Sequence, residues 1–288
     1  MKVGLITQFG GETSRPDYVA RMSRGIEDRG FHSVWVPDHI LVPKVIKSSY
    51  PYEEDGSFPV EPTTQGLEPF TLLSFMAAHT TRLRLGTGVI VLPQRNAALT
   101  AKQVADVDVL SGGRLDFGVG VGWMADEFAA LGMPFDRRGA RADDYLRMMQ
   151  TVWQTHESSY DGEFVNLPLA YQYPKPTQKP HPPLYFGGES VAALRRVARF
   201  GHWFGVDVTP EQVPAKMAML KEHCNREERD FKEVNVALSP YANPTDRDTL
   251  RRYEDAGIDQ VIMAAFAFDQ SELEAVFDDL AERLIVAV

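Results

Sequence analysis

Residues 83–123, LRLGTGVIVLPQRNAALTAKQVADVDVLSGGRLDFGVGVGW, restrict the architectures open to this chain more than any other stretch. Leu, Val and Ile dominate 83–92 and 115–121, as expected of strands covered on both faces in a parallel sheet. Between them Ala98, Ala101, Val104, Ala105, Val107 and Leu110 follow at helical spacing until Ser111-Gly112-Gly113 stops the helix. Parallel strands need a crossover, and right-handed crossovers lay helices over the sheet. A strand, helix, strand unit of this kind has to be completed by more of the same.

The rest of the chain supplies them. Apolar runs at 2–9, 31–37, 184–186, 203–208, 234–238 and 260–266 join the first two, and a segment of helical period follows each. Eight strand-helix repeats predict an α/β fold, a (β/α)8 TIM barrel, for which 288 residues suffice as a single domain over 1–288. At the first helix Ser14 or Asp17 is expected to cap, with Pro16 in the opening turn. Two segments stand outside the repeat. Residues 157–173 set aromatic and β-branched residues around Asp161-Gly162, which predicts a hairpin inserted after strand four. Residues 41–68 carry four prolines, two glycines and Tyr50, Tyr52 and Phe58 without any period. A loop of that length is expected to be a lid after strand two, closing over a site with Tyr50 or Tyr52 against the substrate.

Charge and cysteine content narrow the partners. A net charge of -10 gives no basic face for nucleic acid or an anionic membrane, which leaves a small molecule as the expected partner. The single cysteine, Cys224, excludes an internal disulfide and fits a reducing compartment. No apolar run approaches the roughly 20 residues of a spanning helix, and Met1-Lys2 leads directly into a strand, so a soluble cytoplasmic protein is expected. Seven histidines show neither H-x-H nor H-E-x-x-H spacing, and no metal site is expected.

In a (β/α)8 barrel the chemistry sits at the C-terminal ends of the strands. Asp38 and His39 fall there, as do Gly86, Thr87, Gly88, Gly118, Gly120, Gly122 and Trp123. For any one of these glycines tight packing between strands is the expected reading, but five at neighbouring strand ends point to a flat ligand lying against bare backbone. Gly187-Gly188-Glu189-Ser190 is the best anion site: glycines expose N–H groups, Ser190 can cap the next helix, and that helix's dipole attracts a phosphate. Arg195 and Arg196 follow closely. A plain glycine turn with a serine cap is the competing reading. Trp35 and Trp203 read as core, whereas Trp123 can belong to core or site.

With those residues in view, the sequence resembles the luciferase-like monooxygenase superfamily, and within it the F420-dependent oxidoreductases of actinobacterial type. The matching stretches are SVWVPDHI, YPYEEDG, LRLGTGVIVLP, LSGGRLDFGVGVGWMADEFAALG, the RRG before the long helix and PKPTQKPHPPLYFGGES. They reach to about residue 205. The resemblance implies a barrel that holds coenzyme F420 or FMN at the strand ends, usually in a homodimer. It implies that Gly187, Gly188, Glu189 and Ser190 cradle the cofactor phosphate, with Gly120, Gly122 and Trp123 also at the cofactor. It further implies that Thr87, Gly88 and Val89 form a bulge behind the tricyclic ring, with a cis peptide between Gly88 and Val89, and that Asp38 and His39 stand near the reactive edge. His39 is then expected to serve the chemical step, either donating the proton that accompanies hydride transfer or fixing the acceptor over the ring, and Asp38 could orient its ring, although neighbours on an extended strand point to opposite faces. Where sugar-phosphate dehydrogenases of this family carry a catalytic glutamate after the glycine run, this chain has Trp123. The expected activity is hydride transfer between F420 and a small organic acceptor. The alternatives are an FMN-dependent monooxygenase fed by a separate reductase, and a cofactor-binding protein without catalysis.

Overall fold

A computed structural model describes residues 1–64 and 66–285, and in it the eight expected repeats close into a barrel. Its strands are β1 (Lys2–Ile6), β2 (Ser33–Val36), β3 (Arg84–Thr87), β4 (Ile90–Val91) and β5 (Leu115–Gly120). The inserted hairpin supplies β6 (Ser158–Asp161) and β7 (Asn166–Ala170). The barrel resumes with β8 (Leu184–Gly187), β9 (His202–Val206), β10 (Val236–Ser239) and β11 (Gln260–Ala264). The sheet runs β3-β2-β1-β11-β10-β9-β8-β5-β4, and β3 pairs back onto β5 to close it. β3 and β4 are two pieces of the one strand expected over 83–92. Both pair in parallel with β5, through Leu85 with Leu115 and Ile90 with Val119. The Gly88–Val89 peptide that divides them is cis.

Helices α1 (Pro16–Asp28), α2 (Pro69–His79), α3 (Ala97–Leu110), α4 (Ala125–Ala130) and α5 (Arg138–Gln154) cover one part of the barrel. α6 (Val191–Phe200), α7 (Val213–Arg226), α8 (Arg247–Asp255) and α9 (Gln270–Leu284) cover the rest. None of the described helices is long and apolar enough to cross a membrane. Neither Ser14 nor Asp17 caps α1. A short 3-10 turn over Gly11–Ser14 comes first and takes the Ser14 hydroxyl for the Gly11 carbonyl, so Arg15 occupies the cap position and Pro16 opens the helix.

The core has two shells. Between strands and helices lies the larger one, to which α1 contributes Val19, Met22 and Ile26, α2 Leu73 and Met76, and α5 Met148 and Met149. Inside the barrel, Trp35, Tyr185, Phe204, Ala237 and Ile262 pack with Ile6, Val89 and Val206. The Trp35 ring lies 5.2 Å from Tyr185 and 5.0 Å from Phe204. Trp35 and Trp203 are fully buried, as the sequence led us to expect. The barrel interior is therefore plugged, and the larger cavity lies at its C-terminal rim. The hairpin is fastened to α5 by Asp144, whose carboxylate accepts the Tyr160 hydroxyl at 2.7 Å and the Phe164 amide at 2.7 Å.

At the opposite rim two histidines make the fold acid-sensitive. His202 packs its ring 5.1 Å from Tyr185 and accepts the Asn235 amide on Nδ1 at 3.1 Å. Burial, with Arg229 and His181 nearby, lowers its pKa to about 4, and burial with Lys2 and Arg84 lowers that of His32 to about 4. Both rings stay neutral in the folded protein while ordinary histidines of the unfolded chain, with pKa about 6.5, take up protons. Their contribution is thus complete above about pH 6.5 and is lost as pH falls toward 4. Calorimetry should show a thermal midpoint several degrees lower at pH 4.5 than at pH 7, with a smaller drop in a His32→Gln, His202→Gln double variant. An equal drop in that variant would place the acid sensitivity elsewhere.

Candidate active site

The open rim carries a cavity of about 1100 Å³, lined by the ends of the barrel strands, the lid loop and the first turns of α5 and α6. Its walls include Asp38, His39, Tyr50, Tyr52, Gly88, Val89, Gly120, Gly122, Trp123 and Gly187 through Ser190. The structure thus gathers almost all of the residues singled out from the sequence at one place.

Thr87 does not line the cavity, and Asp38 lines it without serving His39. Thr87 is fully buried, and its hydroxyl donates to the Gly118 carbonyl at 2.7 Å while accepting the Gly118 amide at 2.8 Å. It ties β3 to β5 beneath the site instead of touching a ligand, because its side chain points between the strands. Asp38 does not orient His39. Its carboxylate accepts the Arg95 guanidinium at 2.6 and 3.0 Å and the Val91 amide at 2.9 Å, and so holds β4 in place from below. Both residues follow the end of β2, and the Asp38 side chain is buried against Arg95 where that of His39 lines the cavity.

The glycines resolve largely in favour of packing. A Cβ on Gly86 would collide with the Trp35 indole, and one on Gly118 with the Thr87 carbonyl. Both are close approaches within the protein itself. The floor of the cavity is the Gly88–Val89 segment, with the Val89 side chain turned down among Gly118, Gly120 and Gly187. Bare backbone does face the cavity there, but the strands need those glycines for their own packing.

At one end of the floor, β8 turns through Gly188, whose φ of +109° suits glycine alone, into α6. The Ser190 hydroxyl caps α6 by accepting the Ala193 amide at 3.2 Å. The Gly188 amide itself turns away to the Phe204 carbonyl, 3.4 Å distant, so the N–H groups left open at this corner are those of the first turn of α6, which lack intrahelical partners. Two arginines complete this corner. Arg196 on α6 is paired with Asp143 at 2.5 Å, and Arg138 donates to the Gly122 carbonyl at 3.0 Å above the Phe135 ring. Burial and the neighbouring Arg196 both lower the Arg138 pKa. Arg195, by contrast, is not among the lining residues. The Glu189 side chain is committed to the fold: it accepts the Val206 amide at 2.6 Å and the Tyr52 hydroxyl, and burial raises its pKa.

At the other end the lid folds down onto the strand ends. Tyr50 stands 5.0 Å from Trp123 and 5.2 Å from Phe58, Phe58 lies 5.3 Å from Trp123, and His39 is 5.2 Å from Phe58. Tyr52 packs on Tyr241, which donates to Glu53 at 3.0 Å. Burial and the carboxylate of Glu189 push the Tyr52 phenol well above its ordinary pKa, so Tyr52 is a donor at any working pH. Asp126 of α4 pins the lid through Ser48, accepting its amide at 3.0 Å and its hydroxyl at 2.8 Å. The other acid of α4, Glu127, meets His39 Nδ1 at 3.0 Å.

Glu127, Arg95, Arg138 and Tyr241 are the residues that sequence reasoning did not reach. For Glu127 the only signal is an acid one position before Phe128 on a short helix, which reads equally well as a solvated side chain. It is 1% exposed.

Comparison with known proteins follows the same lines. The sequence model of the luciferase-like monooxygenase family matches residues 1–283. A Mycobacterium tuberculosis protein is 29% identical over the whole of both chains. An F420-dependent glucose-6-phosphate dehydrogenase of Gordonia bronchialis is 31% identical over 82% of this chain and 66% of its own. An FMNH2-dependent dimethylsulfone monooxygenase of Pseudomonas putida is 31% identical over 52% of this chain and 44% of its own. Among solved structures, a monooxygenase from Streptomyces bottropensis superposes with a TM-score of 0.76 at 19% identity over 99% of each chain. An F420-dependent secondary alcohol dehydrogenase superposes with a TM-score of 0.74 at 17% identity, covering 99% of this chain and 98% of its own. At these identities the two superpositions speak for the fold alone.

Proposed function

The chain belongs to the luciferase-like monooxygenase family, and from that premise we propose that it is an oxidoreductase moving a hydride between coenzyme F420 and a small organic acceptor. The observation that carries this reading is the two-ended cavity. A flat backbone floor over Val89 runs from an anion corner at Ser190, Arg138 and Arg196 to a ring-lined lobe that contains His39. A planar tricycle with a phosphate on its tail matches that order of surfaces. The first turn of α6 with Arg138 and Arg196 would hold the phosphate, and the Gly88–Val89 backbone would support the ring. When bound, the deazaflavin supplies two-electron hydride chemistry.

The chain supplies the rest. Tyr50, Phe58 and Trp123 exclude water from the lobe and orient an acceptor by ring contacts. His39 gives or takes the proton that accompanies the hydride, because an imidazole nitrogen facing the cavity can both donate and accept one. Trp123 and its aromatic neighbours favour an uncharged, largely apolar acceptor over a sugar phosphate. A reductase that regenerates the reduced cofactor, and assembly as a homodimer, belong to the same proposal.

F420 is preferred over FMN because the F420-dependent relative aligns with 82% of this chain and the FMNH2-dependent one with 52%. Protein purified from a host that makes both cofactors should carry the deazaflavin absorbance band and oxidise the reduced form with an organic acceptor under nitrogen. A flavin band with oxygen uptake coupled to product hydroxylation would replace this reading by the monooxygenase. Tight binding without turnover across a broad acceptor panel would leave a cofactor carrier.

A further inference from the structure

Glu127 is a buried acid with both carboxylate oxygens in use. Its Oε1 takes the Ile40 amide at 2.7 Å and the Leu41 amide at 3.3 Å, and its Oε2 meets His39 Nδ1 at 3.0 Å. The two backbone bonds fix the chain directly after His39, so the carboxylate and the imidazole are held in one frame. A carboxylate accepts and does not donate, which puts the ring proton on Nδ1 and leaves Nε2 as the nitrogen for a ligand. The ring itself lines the cavity, edge-on to Phe58 and Trp123.

We propose that Glu127 is a positioning residue that locks His39 in its Nδ1–H tautomer and presents Nε2 to the acceptor. The role rests on the reading of His39 given above. In the direction of acceptor reduction, a carbonyl carbon receives the hydride from reduced cofactor and its π bond breaks. The oxygen takes the proton from Nε2 of the protonated ring, which is left neutral with Nδ1–H still on Glu127. In the reverse direction the Nε2 lone pair takes the hydroxyl proton as the hydride leaves. Either way the ring never has to turn over or exchange its Nδ1 proton, since one buried carboxylate serves both protonation states.

Glu127→Gln separates this role from mere support of the loop. The amide has the same shape, and its oxygen can keep the Ile40 and Leu41 amides. Its NH2 then faces Nδ1, which must become the acceptor, and the ring proton moves to Nε2. In ¹⁵N-histidine NMR of the cofactor-free protein, with the His39 signals identified by their loss in His39→Ala, the parent should show Nδ1 protonated and Glu127→Gln should show Nε2 protonated. With an accepted substrate, kcat should fall about 100-fold in Glu127→Gln. KM for the acceptor and Kd for the cofactor should stay within about threefold, and the substitution should add nothing in a His39→Ala background.

A parent ring protonated on Nε2, a Gln variant with unchanged tautomer, or a loss that multiplies that of His39→Ala would each overturn the proposal. The NMR arm needs neither cofactor nor acceptor and decides the tautomer alone. If the tautomer is as stated but His39→Ala turns over normally, the catalytic reading of His39 fails and the geometric lock stands.

Discussion

Replacing His39 with alanine is expected to lower kcat by about 10² to 10⁴ while leaving cofactor affinity within about threefold of the parent, the span that a positioned general acid usually contributes. The size follows from where the ring sits. Its Nδ1 is held by buried Glu127, it makes edge contacts with Phe58 and Trp123, and it lies in the lobe of the cavity away from the corner at Ser190. Removing it takes away the proposed proton donor without touching the surfaces proposed to bind the cofactor. Folding should be little affected, because His39 is partly exposed and Glu127 keeps the Ile40 and Leu41 amides when the ring is removed. The measurement is single-turnover oxidation of reduced cofactor by an accepted substrate, with cofactor affinity taken from absorbance titration. Loss confined to affinity, with turnover at saturation intact, would make His39 a binding residue and remove the proton role from it.

Ser190→Asp should weaken cofactor binding about 100-fold with no loss of fold stability. Aspartate caps a helix as well as serine does, so the bond now made to the Ala193 amide can be kept, and a carboxylate at the N-terminus of α6 also suits the helix dipole. For a cofactor phosphate at the same turn, the new charge is a repulsion. Two unit charges about 4 Å apart interact by about 4 kcal/mol at an effective dielectric of 20, and solvent screening at the exposed Ser190 lowers this to something nearer 3 kcal/mol. Arg138 and Arg196 soften it further without cancelling it. This substitution is a cleaner probe than a bulky residue at Gly188, where a φ of +109° would strain any side chain whether or not a phosphate binds nearby. The thermal midpoint of cofactor-free protein serves as the control. An unchanged Kd for F420 and FMN alike would move the phosphate away from α6.

The strength of both predictions reflects how unevenly the site could be read from the chain. Val89, Gly188, Ser190, His39 and the lid tyrosines were legible because position in a strand-helix repeat fixes which rim a residue occupies. What each side chain does at that rim was not legible in the same way. Asp38 and His39 are neighbours in sequence, yet one is spent on Arg95 and the Val91 amide while the other faces the cavity with an acid 88 residues away.

The sequence by itself determined the barrel, its eight repeats, the inserted hairpin and the rim where chemistry belongs, because hydrophobic period and turn chemistry are local signals that accumulate along the chain. It also determined Ser190 as a cap, which depends on nothing beyond the next three residues. Only the tertiary structure decided that glycines 86 and 118 answer to Trp35 and Thr87 and not to a ligand. The tertiary structure also decided that Thr87 and Asp38 brace the floor from below, that Arg138 joins Arg196 at the anion corner, and that Glu127 is the partner of His39. Hydrogen bonds and close approaches reach only a few ångströms, so they are set by which loops the closed barrel brings side by side. A single sequence read along its length holds no record of that adjacency.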